Sequence, residues 1–303
     1  MRLPQAITAV LILALSLLIF ILPIYGQNFP FTKFTQKIDA HDLTKLDQYP
    51  ITVENSQTAP ETSAIAATVI DNKTGITLYE KTPDGKRLPA STTKLMTALV
   101  ALERCLPQTV LKVGYVEREG TQMGLATGDE VTVESLLYGL LVPSGNDAAF
   151  VLAYSCANSY QNFIAEMNKK AKDLGMANTH FSNPAGFDST LQYSTARDLT
   201  KLSRAAVANP LISKIVATRS IVVSDTLGTK TYYLENVNEL LGKVLGVEGV
   251  KTGQTEGSLE NLVAKTTRAN NTIITVVLGS QDRFGETTQL VEWAFKNHRW
   301  VLP

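Results

Sequence analysis

The chain has 303 residues, and its 28 Lys+Arg balance 28 Asp+Glu, so no charge excess argues for nucleic acid as a partner. A hydrophobic fraction of 44% with 18% charged residues excludes a largely disordered chain and allows one large domain or two small ones. Cys105 and Cys156 lack metal-ligand spacing and are either reduced core residues or one disulfide, and His41, His180 and His298 give a Ser-His-Asp triad little support.

The first 27 residues hold a charge-free apolar run from about Ala6 to Tyr25, long enough to span a bilayer. Its length and the poor cleavage site at Ile24-Tyr25-Gly26 favour an uncleaved anchor over a cleaved signal. Arg2 before the run supports a cytoplasmic N-terminus and an exported body. Residues 28–62 are polar, carry scattered prolines and keep no period, which reads as a stalk. The domain proper is expected over 63–303. AIAATVI, a turn at 71–75 and ITLYEK read as a hairpin.

Pro89 then leads into Ser91-Thr92-Thr93-Lys94, with a buried helix expected from Leu95 to about Arg104. Residues 113–131 are glycine-rich and irregular. Helices are expected from Thr132 to Leu141, Ala148 to Ser155 and Asn158 to Leu174. Residues 181–187, FSNPAGF, read as a turn-rich loop. Thr195 and Asp198 resemble a capping box before DLTKLSRAAVA, and Leu211–Ala217 extends that helical region. Asp173, Asp188 and Asp198 read as solvated or capping carboxylates. Strands follow at SIVVSD, TKTYYL, NLVAKTTR and TIITVVLGS, then a closing helix from Phe284 to Asn297. Strands at both ends around a helical middle predict one mixed α/β domain with terminal strands neighbouring in one sheet.

Three short clusters carry chemistry: Ser91-x-x-Lys94, Ser144-x-Asn146 and Lys251-Thr252-Gly253. Each alone is commonplace, as a helix cap, a turn and a strand end. Their joint occurrence in this order is the signature of acyl-transfer serine enzymes of the penicillin-binding and β-lactamase kind. Ser91 would attack a carbonyl carbon with Lys94 as base, which requires a neutral amine; burial and the nearby cation Lys251 would lower its pKa. Ser144 can pass a proton to the leaving amine, and Asn146 can hold the Lys94 amine or a substrate amide. Lys251 and Thr252 suit a free carboxylate, and Gly253 permits close backbone approach. The N–H groups of Ser91 and Gln254 are candidates for an oxyanion hole, and an exposed strand edge would hold an extended peptide.

The stretches LPASTTKLMTALVALE, MGLATGDEVTVESLLYGLLVPSGNDAAFVLA, FSNPAGFD, YSTARDLTKLS, ENVNELL and GVKTGQT resemble the serine D-alanyl-D-alanine carboxypeptidases, the low-molecular-mass penicillin-binding proteins. The resemblance runs from about Ala64 to about Phe295. It implies a β-lactamase/transpeptidase-like fold, an antiparallel sheet flanked by a helical region with the site between them. It further implies removal of the terminal D-alanine from peptidoglycan stem peptides ending in D-Ala-D-Ala, covalent inhibition by β-lactams, and no metal or organic cofactor. By that resemblance Ser91 is acylated, Lys94 is its base, Ser144 and Asn146 complete the proton network, and Lys251, Thr252 and Arg283 meet the substrate carboxylate. Gln254 replaces the family's usual His or aromatic residue, and Ser258-Leu259 replaces an Ala-Gly pair. The same motifs would serve a D,D-endopeptidase. A class A β-lactamase would need a Glu-x-x-Leu-Asn-type stretch between Asn146 and Lys251, and none is clear. A silent peptidoglycan-binding module would be expected to lose a core motif residue. The place expected is the outer face of the cytoplasmic membrane, or outside the cell if the first segment is cleaved.

Overall fold

The computed structural model describes residues 48–303, so the expected anchor over 1–27 and most of the expected stalk lie outside the described residues. In chain order the strands of the described residues are β1 (Tyr49–Thr52), β2 (Ala66–Asp71), β3 (Thr77–Lys81), β4 (Val110–Lys112), β5 (Glu130–Thr132), β6 (Ser220–Ser224), β7 (Thr231–Glu235), β8 (Val247–Thr255), β9 (Leu259–Arg268), β10 (Asn271–Ser280) and β11 (His298–Val301). Five of them form the central antiparallel sheet, in the order β3-β2-β10-β9-β8. The two hairpins read from sequence, β2–β3 and β9–β10, are present, and β2 pairs directly with β10.

Side-chain alternation in the middle strands feeds two apolar layers. Ala66 and Ile70 of β2, with Ile274, Val276 and Leu278 of β10, face the helical region. Ala67 and Val69, with Ile273 and Val277, pack on Leu290, Val291 and Ala294 of the closing helix. Each face is thereby covered, which accounts for strands that are apolar almost throughout. In chain order the helices are α1 (Lys94–Arg104), α2 (Val133–Leu141), α3 (Asn146–Ser155), α4 (Tyr160–Asp173), α5 (Ala196–Ala208), α6 (Pro210–Val216) and α7 (Arg283–Asn297). Helix α1 is buried from Lys94 through Ala101. Its C-terminus is joined to that of α3 by a disulfide between Cys105 and Cys156, the second of the two states open to these cysteines.

Four local expectations are corrected. The stalk read over 28–62 contributes a strand, β1 (Tyr49–Thr52), paired with β11 (His298–Val301) beyond α7. Four residues with no strong alternation become a strand because a partner is supplied from the far end of the chain, Tyr49 pairing with Val301 and Thr52 with His298. The segment after α5 is a separate helix: Asn209 takes extended backbone and caps α6 through its side chain, and Pro210 opens the new first turn. Only half of the capping box at Thr195 forms. Thr195 accepts from the Asp198 N–H, whereas the Asp198 carboxylate accepts from Asn178 N, Thr179 Oγ1 and Lys201 Nζ. Asp188, read as solvated or capping, accepts from Thr255 Oγ1 at 2.7 Å and Gly257 N at 3.1 Å, and so ties the 181–188 loop to the β8–β9 hairpin.

Candidate active site

Ser91 lies in a 3-10 turn, Ala90–Thr93, immediately before α1, so the nucleophile candidate precedes the α-helix and Lys94 opens it. The Lys94 side chain is fully buried; Nζ donates to Ser91 Oγ at 2.7 Å and to the Ala185 carbonyl at 2.8 Å. Burial, and secondarily the Lys251 charge, push its pKa well below the ordinary lysine value, against an opposing pull from Asp147. Lys251, on edge strand β8, is likewise buried and donates to the Thr252 carbonyl at 3.0 Å. Burial first, then the Arg283 charge, bring it down to about 7. The site thus holds two buried amines whose charged forms oppose one another.

Edge strand β8 runs beside the 3-10 turn. A Cβ on Gly253 would stand 3.1 Å from Ala90 Cβ, Pro89 O and Ser91 N, so a side chain there would press on the Ser91 backbone. Thr252 is buried, while Gln254 is exposed and accepts from Arg283 Nη1 at 3.3 Å. Arg283, at the start of α7, also donates to the Gly253 carbonyl at 3.2 Å. Ser258 replaces the family's small pair without loosening the hairpin: Thr255 N donates to Ser258 Oγ at 2.9 Å and Ser258 N donates to Thr255 Oγ1 at 3.0 Å.

Ser144 lies in the turn between α2 and α3, Asn146 opens α3, and both are buried. Ser144 adopts a left-handed backbone, φ 71°, as does Ala90 next to Ser91, φ 47°. Such non-glycine conformations cost about 1–3 kcal/mol each and persist where surrounding structure enforces them. Around Ser144 the enforcement comes from Asp147, whose carboxylate accepts from the N–H groups of Met123, Gly124, Leu125 and Ala148. Asn146 donates through Nδ2 to the Glu119 carbonyl at 2.7 Å, and its backbone N–H donates to Thr121 O. The Nδ2 end of its amide is thus spent on the 119–121 loop, and Oδ1 is the end that can accept from the Lys94 amine or a substrate amide.

The sequence reading gave no site role to the 181–188 loop, which forms the back wall. A Cβ on Gly186 would stand 1.9 Å from Ala90 O and 2.8 Å from Ser91 N, at φ +97°; only glycine fits. Asn183 Oδ1 accepts from the N–H groups of Ala185, Gly186 and Phe187 and fixes the loop's shape. Thr97 donates to Pro184 O at 2.6 Å and straps the loop to α1, while Gln192 accepts from Ser182 N at Oε1 and donates through Nε2 to Thr93 Oγ1 at 3.1 Å, joining the loop to the 3-10 turn. Asn-Pro followed by Gly signals a tight turn, but nothing in that composition says which residue it will back. His180 and His298 each place Nδ1 on a backbone carbonyl, a structural use.

A family model described as D-alanyl-D-alanine carboxypeptidase matches residues 53–282. The chain belongs to that family. It is 35% identical over 259 residues to the D-alanyl-D-alanine carboxypeptidase of Streptomyces sp. strain K15, covering 78% of this chain and 89% of that protein. It is 33% identical over 246 residues to D-alanyl-D-alanine carboxypeptidase DacF of Bacillus subtilis, covering 78% of this chain but spanning only 63% of that relative's length. A D-alanyl-D-alanine endopeptidase of Escherichia coli is 35% identical over 247 residues, 80% of this chain and 78% of the relative. Among solved structures, the Streptomyces K15 DD-transpeptidase superposes with a TM-score of 0.75 at 34% identity, covering 79% of this chain and all of that one. The expected β-lactamase/transpeptidase-like fold is therefore the fold of this chain.

Proposed function

We propose that this chain is a serine D-alanyl-D-alanine carboxypeptidase that removes the terminal D-alanine of peptidoglycan stem peptides through an acyl-enzyme on Ser91. One observation carries the reading: a buried amine, depressed toward neutrality, stands 2.7 Å from an otherwise ordinary serine hydroxyl. Neutral Lys94 takes the Ser91 proton as Oγ bonds to the penultimate carbonyl carbon. The N–H groups of Ser91 and Gln254 receive the oxyanion, and Lys251, Thr252 and Arg283 hold the terminal carboxylate. The C–N bond breaks as the leaving amine takes a proton through Ser144, and water then attacks the ester with Lys94 again as base. The free edge of β8 supports extended binding of the peptide.

A labelled penicillin should attach covalently to Ser91, and Ser91→Ala should abolish attachment. A folded wild-type chain that neither labels nor releases D-alanine from a pentapeptide would overturn the reading. Product analysis on a crosslinked muropeptide distinguishes endopeptidase action, which yields separated stems. For location, the charge-free run at 6–25 supports tethering at the outer face of the cytoplasmic membrane, or secretion if it is cleaved. Among the described residues no helix is long and apolar enough to cross a membrane, so this reading rests on the N-terminal run alone. The mass of the mature N-terminus tests it.

A further inference from the structure

A cavity of about 470 Å³ lies between residues 86–88, the 189–193 segment and the tip of the β8–β9 hairpin at Gly257 and Ser258. The hydrolytic steps use none of these groups. Two successive cations line it, Lys86 and Arg87, and no carboxylate does. Among the described residues neither cation forms an ion pair. Lys86 Nζ instead stands over the Tyr193 ring, 4.1 Å from its centre. Arg87 Nε is buried and has no hydrogen-bond partner among the described residues, a state that folded chains normally avoid.

The walls are held by backbone. Arg87 N donates to Ser194 O at 2.8 Å, and Arg87 O accepts from Ser194 N at 2.9 Å. The next carbonyl, Leu88 O, accepts from Asn261 Nδ2 at 2.9 Å. Along the 189–193 wall, the Thr190 and Tyr193 hydroxyls have no partner among the described residues. The Ser189 hydroxyl accepts from Leu191 N at 3.2 Å and keeps its proton to donate. The neighbouring carboxylate, Asp188, is spent on the hairpin: Oδ1 accepts from Thr255 Oγ1 and Oδ2 from Gly257 N. It therefore does not serve as counter-ion to the two cations.

We infer that this cavity binds a phosphate group. Lys86 supplies a point charge and Arg87 a planar fork of donors, and the 189–193 wall adds hydroxyls from a separate stretch of chain. Donors converging from several directions match the tetrahedral oxygens of a phosphate, whereas a carboxylate presents two oxygens in one plane. A cationic ligand would meet two like charges. The cavity adjoins the nucleophile's turn without being part of the site. Arg87 leads directly into the Leu88–Ser91 stretch, and Gln192, which also lines the cavity, donates to Thr93 Oγ1 at 3.1 Å. The phosphate has two possible sources, the free inorganic ion or a phosphodiester within a larger molecule. Binding requires no turnover, so the inference stands apart from the carboxypeptidase reading.

The test titrates the full chain, in uncharged detergent at neutral pH and fixed ionic strength, with inorganic phosphate and with glycerophosphoglycerol, a small phosphodiester. Phosphorus NMR reads the binding. Wild type should bind at least one of the two with a Kd below about 5 mM. Lys86→Gln and Arg87→Gln should each weaken that binding about tenfold, the worth of one hydrogen bond to a charged group. Arg87→Lys keeps the charge and loses the fork, so it should lose less than Arg87→Gln. Lys112→Gln removes the same charge from an exposed position on β4 and should leave binding unchanged. Lys86 is exposed, so its variant decides the matter if Arg87→Gln fails to fold. Tighter binding of inorganic phosphate assigns the site to the free ion, and equal or tighter binding of the diester assigns it to a phosphodiester; either supports the site. A Kd above about 5 mM for both probes would overturn it. Equal losses in Lys86→Gln and Lys112→Gln would also overturn it, because binding would then be general attraction to positive charge.

Discussion

Replacing Lys251 by methionine should make the protein more stable and much less able to hold a substrate carboxylate. The Lys251 amine is fully buried and its pKa falls from 10.5 to about 7. Each pH step between those values corresponds to about 1.36 kcal/mol, so the penalty for burying the amine approaches about 5 kcal/mol. The sign follows from which state holds the proton. Between about 7 and 10.5 the unfolded chain keeps its proton and the folded chain does not. Wild-type stability therefore rises with pH across that window, and the penalty is complete below it. Methionine has similar volume and no charge, so Lys251→Met should gain roughly 2–5 kcal/mol at pH 6.5, with the advantage shrinking as pH rises to 9.5. Denaturant unfolding of both proteins at several pH values measures this. A variant no more stable than wild type at pH 6.5, or an advantage that grows with pH, would refute the reasoning. A second readout is kinetic. Loss of the Lys251 charge removes one cause of the low Lys94 pKa, so the acid limb of β-lactam acylation should move to higher pH.

Gly186→Ala should cost at least about 3 kcal/mol of stability and slow penicillin acylation about 100-fold, because the new Cβ meets the Ala90 backbone and Ser91 must shift; near-wild-type acylation would contradict the contact. Asn183→Ala leaves three loop N–H groups without their acceptor and should cost about 1–3 kcal/mol, read by denaturant midpoint, with a matching fall in the acylation rate. Breaking the Cys105–Cys156 bond, with its separation of 51 residues, should lower stability by about 4 kcal/mol, measured as a shift in the unfolding midpoint on adding reductant.

Elements held by local rules were legible in sequence. The β2–β3 and β9–β10 hairpins follow from alternating runs around turn residues, and α1 follows from an uninterrupted apolar stretch after Pro89. Ser91, Lys94 and Lys251 were legible because each motif has fixed internal spacing. What escaped were interactions set by distant partners. Tyr49–Thr52 is a strand only because His298–Val301 lies beside it, and Asp188 serves the β8–β9 hairpin across 67 residues of chain. Asn146 was assigned a partner by chemistry alone. Its amide has a donor end and an acceptor end, and only the path of the 119–121 loop shows that the donor end serves the Glu119 carbonyl. Gly186 carries no chemistry, and its role is to leave room for the backbone before Ser91.

The parts of the site are individually unfavourable, and that clarifies how they work together. Ala90 and Ser144 hold left-handed backbone, Lys94 and Lys251 are buried amines, and the buried carboxylate that acts on Lys94, Asp147, is occupied by four backbone N–H groups. Asp147 thus moderates the Lys94 pKa without forming an ion pair that would fix the amine as a cation. A substrate carboxylate brought against Lys251 favours its charged form. That charge acts on Lys94 in the direction opposite to Asp147, disfavouring its protonated form. In the proposed reaction, recognition of the peptide's free end would thereby be coupled to activation of Lys94 as the base for Ser91. That coupling would run through the Coulomb interaction between two buried side chains, one on β8 and one on α1.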